Sequence, residues 1–205
     1  QPLELGWFGG GEVKTLAKAE WQGGMPLLGG RCLLLGYYLN ELLVKLLPRE
    51  DAHPGLFDAY HAALDALAHG SADAPELRRF EKSLLKELGY GLTLDREAGS
   101  GEAIRADARY DFLLERGAVR KVGAGETAPN GRDEGRDEGR NERNGSRNDA
   151  EPAFRGKTLL DMAADDYSDP QTRLESRALM RQLIAHHLGG KPLQSRRVFM
   201  ELQEL

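Results

Sequence analysis

The segment that most constrains the fold spans residues 73–94 and reads DAPELRRFEKSLLKELGYGLTL. Asp73 can cap a helix, Pro75 suits the first turn and Gly89 suits the end. Between these signals, apolar side chains recur at steps of three and four residues, which places them on one face of a helix. These side chains are Leu77, Phe80, Leu84 and Leu88. The pattern predicts an amphipathic helix over residues 73–88 that buries one stripe in a core.

A line of cations runs beside this stripe at steps of four residues. Its members are Arg78, Lys82 and Lys86. Cations at the rim of an apolar groove are suited to an acidic peptide with an apolar end, or to a phosphate backbone. The alternative interpretation is a solvated helix edge, since Glu76, Glu81 and Glu87 lie at spacings that allow ion pairs with these cations.

Composition limits the class of protein. With 205 residues, 40% of them hydrophobic, the chain can bury a sizeable core. The net charge of −5 gives no overall basic signature, so any nucleic-acid contact must come from local patches. Cys32 is the single cysteine, which excludes internal disulfides and a cysteine zinc site, and we expect it to be buried. The most apolar run, residues 31–47, carries Arg31, Glu41 and Lys45, so we expect a soluble intracellular protein rather than a membrane span.

The first 21 residues predict a β-hairpin. Residues 3–8 alternate apolar and small or polar side chains, which is typical of a strand with one buried face. A run of three glycines then predicts a turn rather than a phosphate-binding loop, because no Gly-Lys-Ser/Thr follows. Residues 12–21 predict the return strand, and the hairpin would present Lys14 and Lys18.

Two more helices are predicted before residue 73. Residues 31–47 are apolar around nearly the whole circumference, which indicates a helix buried centrally among others. Residues 54–69 predict a helix whose inner face holds Leu56, Phe57, Tyr60, Leu64 and Leu67. Its other face carries Asp58, His61, Asp65 and His69, a row that could bind a metal but is more typical of a solvated surface.

The second half of the chain is interrupted by a segment of different composition. Residues 110–120 predict a short hairpin or an irregular pair. Residues 131–151 repeat Gly-Arg-Asp-Glu with almost no apolar residue, which predicts a disordered insertion. The alternative is an arginine-glycine tail that binds nucleic acid, but the interleaved acids would cancel most of its attraction to phosphate. Residues 159–164 predict a short helix. A long helix follows from Pro170, and its last turn holds His186 and His187, where the macrodipole favours protonation. The tail, residues 191–199, forms a local basic patch through Lys191, Arg196 and Arg197.

Several separated motifs occur together in this chain: GGGEVKTLAKAE, GYYLNELL, LRRFEKSLLKELGYGLTL followed by AGSGE, and LGGKPLQSRRVF. In this order they resemble the bacterial recombination mediator family RecO in its proteobacterial form. The resemblance covers nearly the whole chain apart from residues 121–153.

The resemblance implies a mainly α fold with a small β part, an α+β architecture. Family members have an N-terminal OB-fold barrel followed by a helical domain, and this chain corresponds to the final barrel hairpin and the helical domain. The expected organisation is a residual OB-fold hairpin at 1–22, helical segments at 23–120 and 156–205, and a disordered insertion at 121–155. The chain begins at Gln1 without methionine, which fits a fragment or a processed product.

The resemblance also implies a function without catalysis. RecO proteins bind single- and double-stranded DNA, anneal complementary strands, and act with RecR to load a RecA-type recombinase onto strands covered by single-strand-binding protein. The expected location is the bacterial cytoplasm, in association with the nucleoid. Many members carry a four-cysteine zinc motif, but the matching region here reads TLDREAGSGEAI, so we expect no cofactor.

The family binds the acidic C-terminal tail of single-strand-binding protein in a groove of the helical domain. The corresponding residues here are Leu77, Arg78, Arg79 and Phe80, with Lys82 on the same rim. A guanidinium such as that of Arg78 can hold a terminal carboxylate through two hydrogen bonds. For DNA, the expected contacts are Lys14, Lys18, Lys191, Arg196 and Arg197.

Two other functions fit parts of the sequence. A helical metal-dependent hydrolase would use Asp58, His61, Asp65 and His69. A protein-binding helical module would have lost its DNA contacts together with the front of the barrel.

Overall fold

The computed structural model describes residues 3–49, 51–70, 75–121 and 153–203. Within these ranges the chain forms six helices and two small antiparallel sheets, which confirms the predicted α+β class. In chain order the elements are β1 Leu3–Phe8, β2 Thr15–Trp21, α1 Gly30–Leu46, α2 Pro54–Ala68, α3 Pro75–Glu87, β3 Arg109–Leu113, β4 Gly117–Arg120, β5 Phe154–Arg155, α4 Gly156–Ala163, α5 Pro170–His187 and α6 Gln194–Gln203. None of the described helices is long and apolar enough to cross a bilayer.

The elements fall into two compact units. The helical unit comprises Gln1–Gly91 with Ile184–Leu205, and the sheet unit comprises Leu92–Leu183. The predicted insertion at 121–155 lies almost entirely outside the described residues, which resume at Ala153. The domain boundaries expected from the family resemblance stay a prediction.

The core of the helical unit lies between α1, α2, α3 and the end of α5. Its buried residues are Leu39, Leu42, Leu56, Ala63, Leu67, Leu77, Phe80, Leu84, Ile184 and Leu188. The predicted stripe of α3 therefore faces the core, with Leu88 partly buried against it, while Asp73 lies outside the described residues. Each fully buried leucine or phenylalanine contributes roughly 1.5–3 kcal/mol through removal of apolar surface from water.

Two expectations about helix faces are wrong. We expected α1 to be buried around its circumference, but only one side is buried, at Gly36, Leu39 and Leu42, and Tyr37 and Val44 on another side are exposed. In α2, Phe57 was assigned to the inner face and is exposed. The reason is that α2 packs through Leu56, Ala63 and Leu67, and residue 57 points about 100° away from residue 56.

The hairpin of β1 and β2 forms as predicted but has no buried face. Its strands pair from Leu3 opposite Trp21 to Phe8 opposite Thr15, with an irregularity after Gly6. Alternation correctly indicates a strand, but burial depends on a layer that packs against it. Its apolar side chains Leu3, Leu5, Trp7, Phe8, Leu16 and Trp21 are all exposed.

The sheet unit contains the predicted hairpin of β3 and β4, with β5 on the other side of β3. Helix α4 starts immediately after β5 at Gly156, whose amide donates to the carbonyl of Ala108 at 2.8 Å. A Cβ at position 156 would lie 1.9 Å from the Arg105 carbonyl oxygen and 2.9 Å from the ring of Tyr110. Glycine is therefore needed here because of close backbone approach.

Helix α6 was not predicted. The tail from residue 191 was interpreted only as a basic patch, since it has no local cap signal. The amides of its first turn instead donate hydrogen bonds to the carboxylate of Glu41 on α1, which is distant in sequence.

Candidate functional site

The LRRF segment on α3 divides between the core and the surface. Leu77 and Phe80 are buried, and the ring of Phe80 lies 6.2 Å from that of Tyr60. These two side chains therefore hold α3 against α2 and are not exposed to a ligand. The most exposed residue of this segment is Arg79, whose side chain is 45% exposed.

Arg78 belongs to a polar cluster between α1 and α3. Its Nη2 donates to Oε1 of the buried Glu81 at 2.7 Å, and the hydroxyl of Tyr38 donates to the same oxygen at 2.6 Å. Only 15% of the Arg78 side chain is exposed. A buried carboxylate needs a charged partner, so Arg78 stabilises Glu81 rather than standing free at a rim.

The outer cations of α3 are more accessible. The side chain of Arg79 is 45% exposed and donates to Glu76 at 2.8 Å, one turn earlier. Lys82 is half-buried and Lys86 is exposed. Exposed ion pairs at helical spacing contribute little, about 0.3–0.5 kcal/mol, so the pair of Arg79 with Glu76 adds little to stability.

The two hairpin lysines lie in different surroundings. Lys14 is exposed in the segment just before β2. Lys18 lies on β2 and forms ion pairs with Glu20 at 2.8 Å and Glu4 at 3.8 Å. The hairpin therefore offers one exposed cation at Lys14 and one, Lys18, that carboxylates of its own strands neutralise.

The basic tail is held in place by a carboxylate from another helix. The carboxylate of Glu41 accepts from the amides of Gln194 and Ser195 at 2.8 and 2.9 Å and from the hydroxyl of Ser195 at 2.7 Å. Lys45 pairs with Glu41 at 2.8 Å and donates to the carbonyl of Pro192. Burial by itself raises the pKa of Glu41, but these hydrogen bonds have the larger combined effect. The net result is a pKa lowered from 4.5 to about 2.

This anchor fixes the start of α6 on α1, with Arg196 and Arg197 exposed on its surface and Lys191 exposed just before it. The guanidinium of Arg31 on α1 lies over the ring of Phe199, 5.9 Å from its centroid. Sequence analysis missed Glu41 and Arg31, because both act on residues more than 150 positions away and nothing in the local pattern signals the contact.

The four side chains of the row on α2 are not grouped as a set of metal ligands. Asp58, His61, Asp65 and His69 lie on an exposed face, and Nδ1 of His69 contacts the carbonyl oxygen of Asp65 at 2.8 Å. In the described part of the chain, no group of three or more potential ligands is close enough together to hold a metal ion. No geometric observation favours the hydrolase alternative.

The region that corresponds to the family's zinc motif is closed by hydrogen bonds. Arg96 and Ala103 form a bridge, and the amide of Ala98 donates to the carbonyl of Ala118 at 2.7 Å. Ser100 donates to Glu97 at 3.1 Å. Without cysteine, these residues do not fit a four-cysteine zinc site.

An aromatic contact that sequence analysis missed lies where α3 and α5 end. The rings of Tyr90 and His187 are in contact, with their centroids 4.0 Å apart and their planes tilted by 33°. Burial and the charge of His186 lower the pKa of His187 below its usual 6.5. This direction is opposite to the one expected from the macrodipole, since burial and the neighbouring charge both disfavour the imidazolium of His187.

Comparison with known proteins places these features in a family. A family model described as Recombination protein O C terminal matches residues 30–197. The chain is 50% identical to the DNA repair protein RecO of Azoarcus sp. (strain BH72), covering all of this chain and 76% of that protein. It is 52% identical, with the same coverage, to the DNA repair protein RecO of Aromatoleum aromaticum. It is also 50% identical to that of Dechloromonas aromatica over 208 aligned positions, again 76% of that protein.

Proposed function

The chain belongs to the RecO family of DNA repair proteins, and on this premise we propose that it is a recombination mediator. It binds single- and double-stranded DNA and anneals complementary strands. Together with RecR, it helps to load a RecA-type recombinase onto strands covered by single-strand-binding protein. It acts by binding and has no catalytic residues of its own.

The observation that carries the DNA-binding proposal is the anchored basic helix α6. Glu41 fixes its first turn, so Arg196 and Arg197 project from a rigid element, with Lys191 preceding them. Arg31 adds a further cation next to Phe199. Lys14 and Lys18 of the hairpin add two more cations, although the ion pairs of Lys18 with Glu4 and Glu20 reduce its attraction for phosphate. Cations on a rigid surface neutralise phosphates and leave bases free to pair, which is the requirement for annealing.

The test of this proposal is fluorescence anisotropy of labelled single strands over a range of salt concentrations. We expect binding to weaken steeply with salt. The double variant Arg196→Ala/Arg197→Ala should lower the magnitude of the salt slope by about 1–2, since each lost phosphate contact removes about 0.7 to 0.9. Arg116→Ala, in the exposed turn between β3 and β4, is the matched control. An unchanged slope in the double variant rejects α6 as the DNA-binding element.

We propose in addition that the acidic tail of single-strand-binding protein binds along the exposed edge of α3. The support is the 45% exposure of the Arg79 side chain and the position of Lys82 on the same helix, one residue beyond the buried Glu81. Leu77 and Phe80 take part only as the packed support beneath this edge. Arg78 contacts the peptide through the 15% of its side chain that is exposed beside Glu81.

Calorimetric titration with a synthetic acidic tail peptide tests this second proposal. Arg79→Ala and Lys82→Ala should each weaken binding about tenfold or more, as for charge-assisted hydrogen bonds worth about 1.5–3 kcal/mol. Arg116→Ala is again the control. Peptide affinity that is the same in all three variants excludes the α3 edge as the peptide site.

A further inference from the structure

Helices α3 and α5 end with the same turn. After α3, the amides of Gly89 and Tyr90 donate to the carbonyls of Lys86 and Leu85 at 3.0 and 2.8 Å. After α5, the amides of Gly189 and Gly190 donate to those of His186 and Ala185 at 2.9 and 3.3 Å. Gly89 and Gly189 have φ of 86° and 59°, the left-handed conformation that this C-terminal motif requires. Both ends are therefore fixed by backbone geometry.

These turns place an exposed aromatic ring on a second ring. Tyr90 is 53% exposed, although its ring lies against that of His187, with the centroids 4.0 Å apart and the planes tilted by 33°. His186 contacts His187 edge-on at 5.3 Å. A ring that contacts a second ring and is still half exposed has its remaining surface open to solvent. The rigid turns hold that surface in a fixed orientation.

Charge around the ring favours a neutral flat ligand with an anionic backbone. The last carbonyls of both helices carry partial negative charge and disfavour an anion directly on the ring. Lys86, in the last turn of α3, and Lys191, just after α5, are exposed and form no ion pair with the residues that the structure describes. A nucleobase is neutral and flat, and its flanking phosphates are anionic. Base stacking on aromatic side chains is tolerant of sequence and is typical of single-strand binding.

We propose that Tyr90, supported by His187, is a stacking platform for one unpaired base of single-stranded DNA, with Lys86 and Lys191 binding the flanking phosphates. The inference depends on the proposed DNA binding and adds a site that recognises unpaired bases. Basic residues alone bind any phosphate backbone, but a base can stack on Tyr90 only when it is not paired within a duplex. The platform therefore gives the protein a preference for single strands.

The experiment measures binding of fluorescein-labelled oligothymidylate by the full chain and its variants. Tyr90→Ala should weaken binding roughly tenfold, about 1.4 kcal/mol, with the salt slope unchanged. Tyr90→Phe should bind like the parent chain because the ring remains. Tyr37→Ala, which removes a tyrosine on α1 that is 57% exposed, should have no effect. Lys86→Gln should reduce the salt slope, and photo-crosslinking with 5-iodouracil should label the peptide that contains Tyr90.

Three results would overturn the inference, and they separate it from the function on which it depends. Parent-level affinity of Tyr90→Ala, in a chain that does bind oligothymidylate, removes the platform and leaves DNA binding intact. A chain that binds no oligothymidylate at low salt removes both. A Tyr90→Ala variant that loses affinity only for an acidic, aromatic-ended peptide assigns this surface to a protein partner instead.

Discussion

Two glutamates of the helical unit, Glu41 and Glu81, use hydrogen bonds to offset the cost of burying a charge. Glu41 accepts from two amides, a hydroxyl and an ammonium group, while Glu81 accepts from Arg78 and Tyr38. In both cases one carboxylate ties α1 to another helix. These residues determine which surfaces are fixed, although neither faces a proposed ligand.

Glu41→Gln should destabilise the chain by about 1–2 kcal/mol at neutral pH, the range for loss of a helix cap. The pKa of Glu41 is about 2 in the folded chain against 4.5 ordinarily. The unfolded chain therefore binds the proton more tightly, and the contribution of the charge is complete above about pH 4.5 and is lost as the pH falls towards 2.

Urea unfolding of the parent chain and Glu41→Gln at several pH values measures this contribution. The difference in unfolding free energy should narrow steadily between pH 4.5 and 2. Glu115→Gln, at an exposed position in the β3–β4 turn, should show no such difference. If the difference in unfolding free energy between Glu41→Gln and the parent does not change with pH, the charge of Glu41 does not stabilise the start of α6.

Arg78→Ala should destabilise the fold by roughly 3 kcal/mol, since it leaves the Glu81 carboxylate buried without its guanidinium partner. This differs from the simplest expectation for a rim residue, whose removal would affect only ligand affinity. The double variant Arg78→Ala/Glu81→Gln should recover part of the loss, because the uncompensated charge is gone. Thermal unfolding followed by circular dichroism measures both effects, and the absence of any recovery would show that Arg78 stabilises the fold by packing alone.

Two helices, α4 and α6, are fixed at their start by a carboxylate from another helix. No side-chain cap hydrogen bond is formed at the start of α1, α2 or α4. The carboxylate of Glu175 on α5 accepts from the amide of Arg155, which precedes α4, at 2.9 Å and from the hydroxyl of Thr158 at 2.7 Å. Glu41 does the same for α6. A search for local caps therefore finds α3 and α5 more readily than α6.

Gly156→Ala should be severely destabilising for the sheet unit, by about 3 kcal/mol or more, because the new Cβ would overlap the Arg105 carbonyl. The junction of β5 and α4 would have to move away from β3. Gly10→Ala is the matched substitution, since no atom lies within 4 Å of its Cβ position, and it should be nearly neutral. Chemical denaturation of both variants provides the comparison, and equal stability of the two would contradict the close approach.

At the scale of the whole chain, the hairpin of β1 and β2 is unusual because its apolar side chains are exposed and do not join a core. The only tryptophans, Trp7 and Trp21, lie on it and are 61% and 67% exposed. Tryptophan fluorescence therefore reports the hairpin and not the helical core.

The emission of the folded chain should match that of the chain in concentrated denaturant, since both tryptophans already contact water. Heating should melt the helices, seen by circular dichroism, without a comparable shift in emission. Emission that is blue-shifted in the folded chain would contradict an open hairpin, and its dependence on protein concentration would tell self-association from internal burial.

The pattern of residues predicted most elements, because helical and strand periodicities depend on neighbours along the chain. It located β1, α3, the β3–β4 hairpin and α5, and its motifs indicated the RecO family that comparison then showed. It also marked Arg196 and Arg197 as exposed cations. The pairing of Arg78 with Glu81 could not be read from spacing alone, since an exposed and a buried pair have the same sequence separation.

The sequence by itself determined the helical periods, the apolar stripe of α3 and the family. Each of these depends on residues that are close together in the chain or on motifs that occur in a fixed order. Only the tertiary structure decided which side chains meet: Glu41 with α6, Tyr90 with His187, and Tyr38 with Glu81. It also decided which apolar faces stay exposed, on α1 and on the hairpin. The reason is physical: burial and charge pairing depend on distances between remote segments, and those distances are set only when the helices pack.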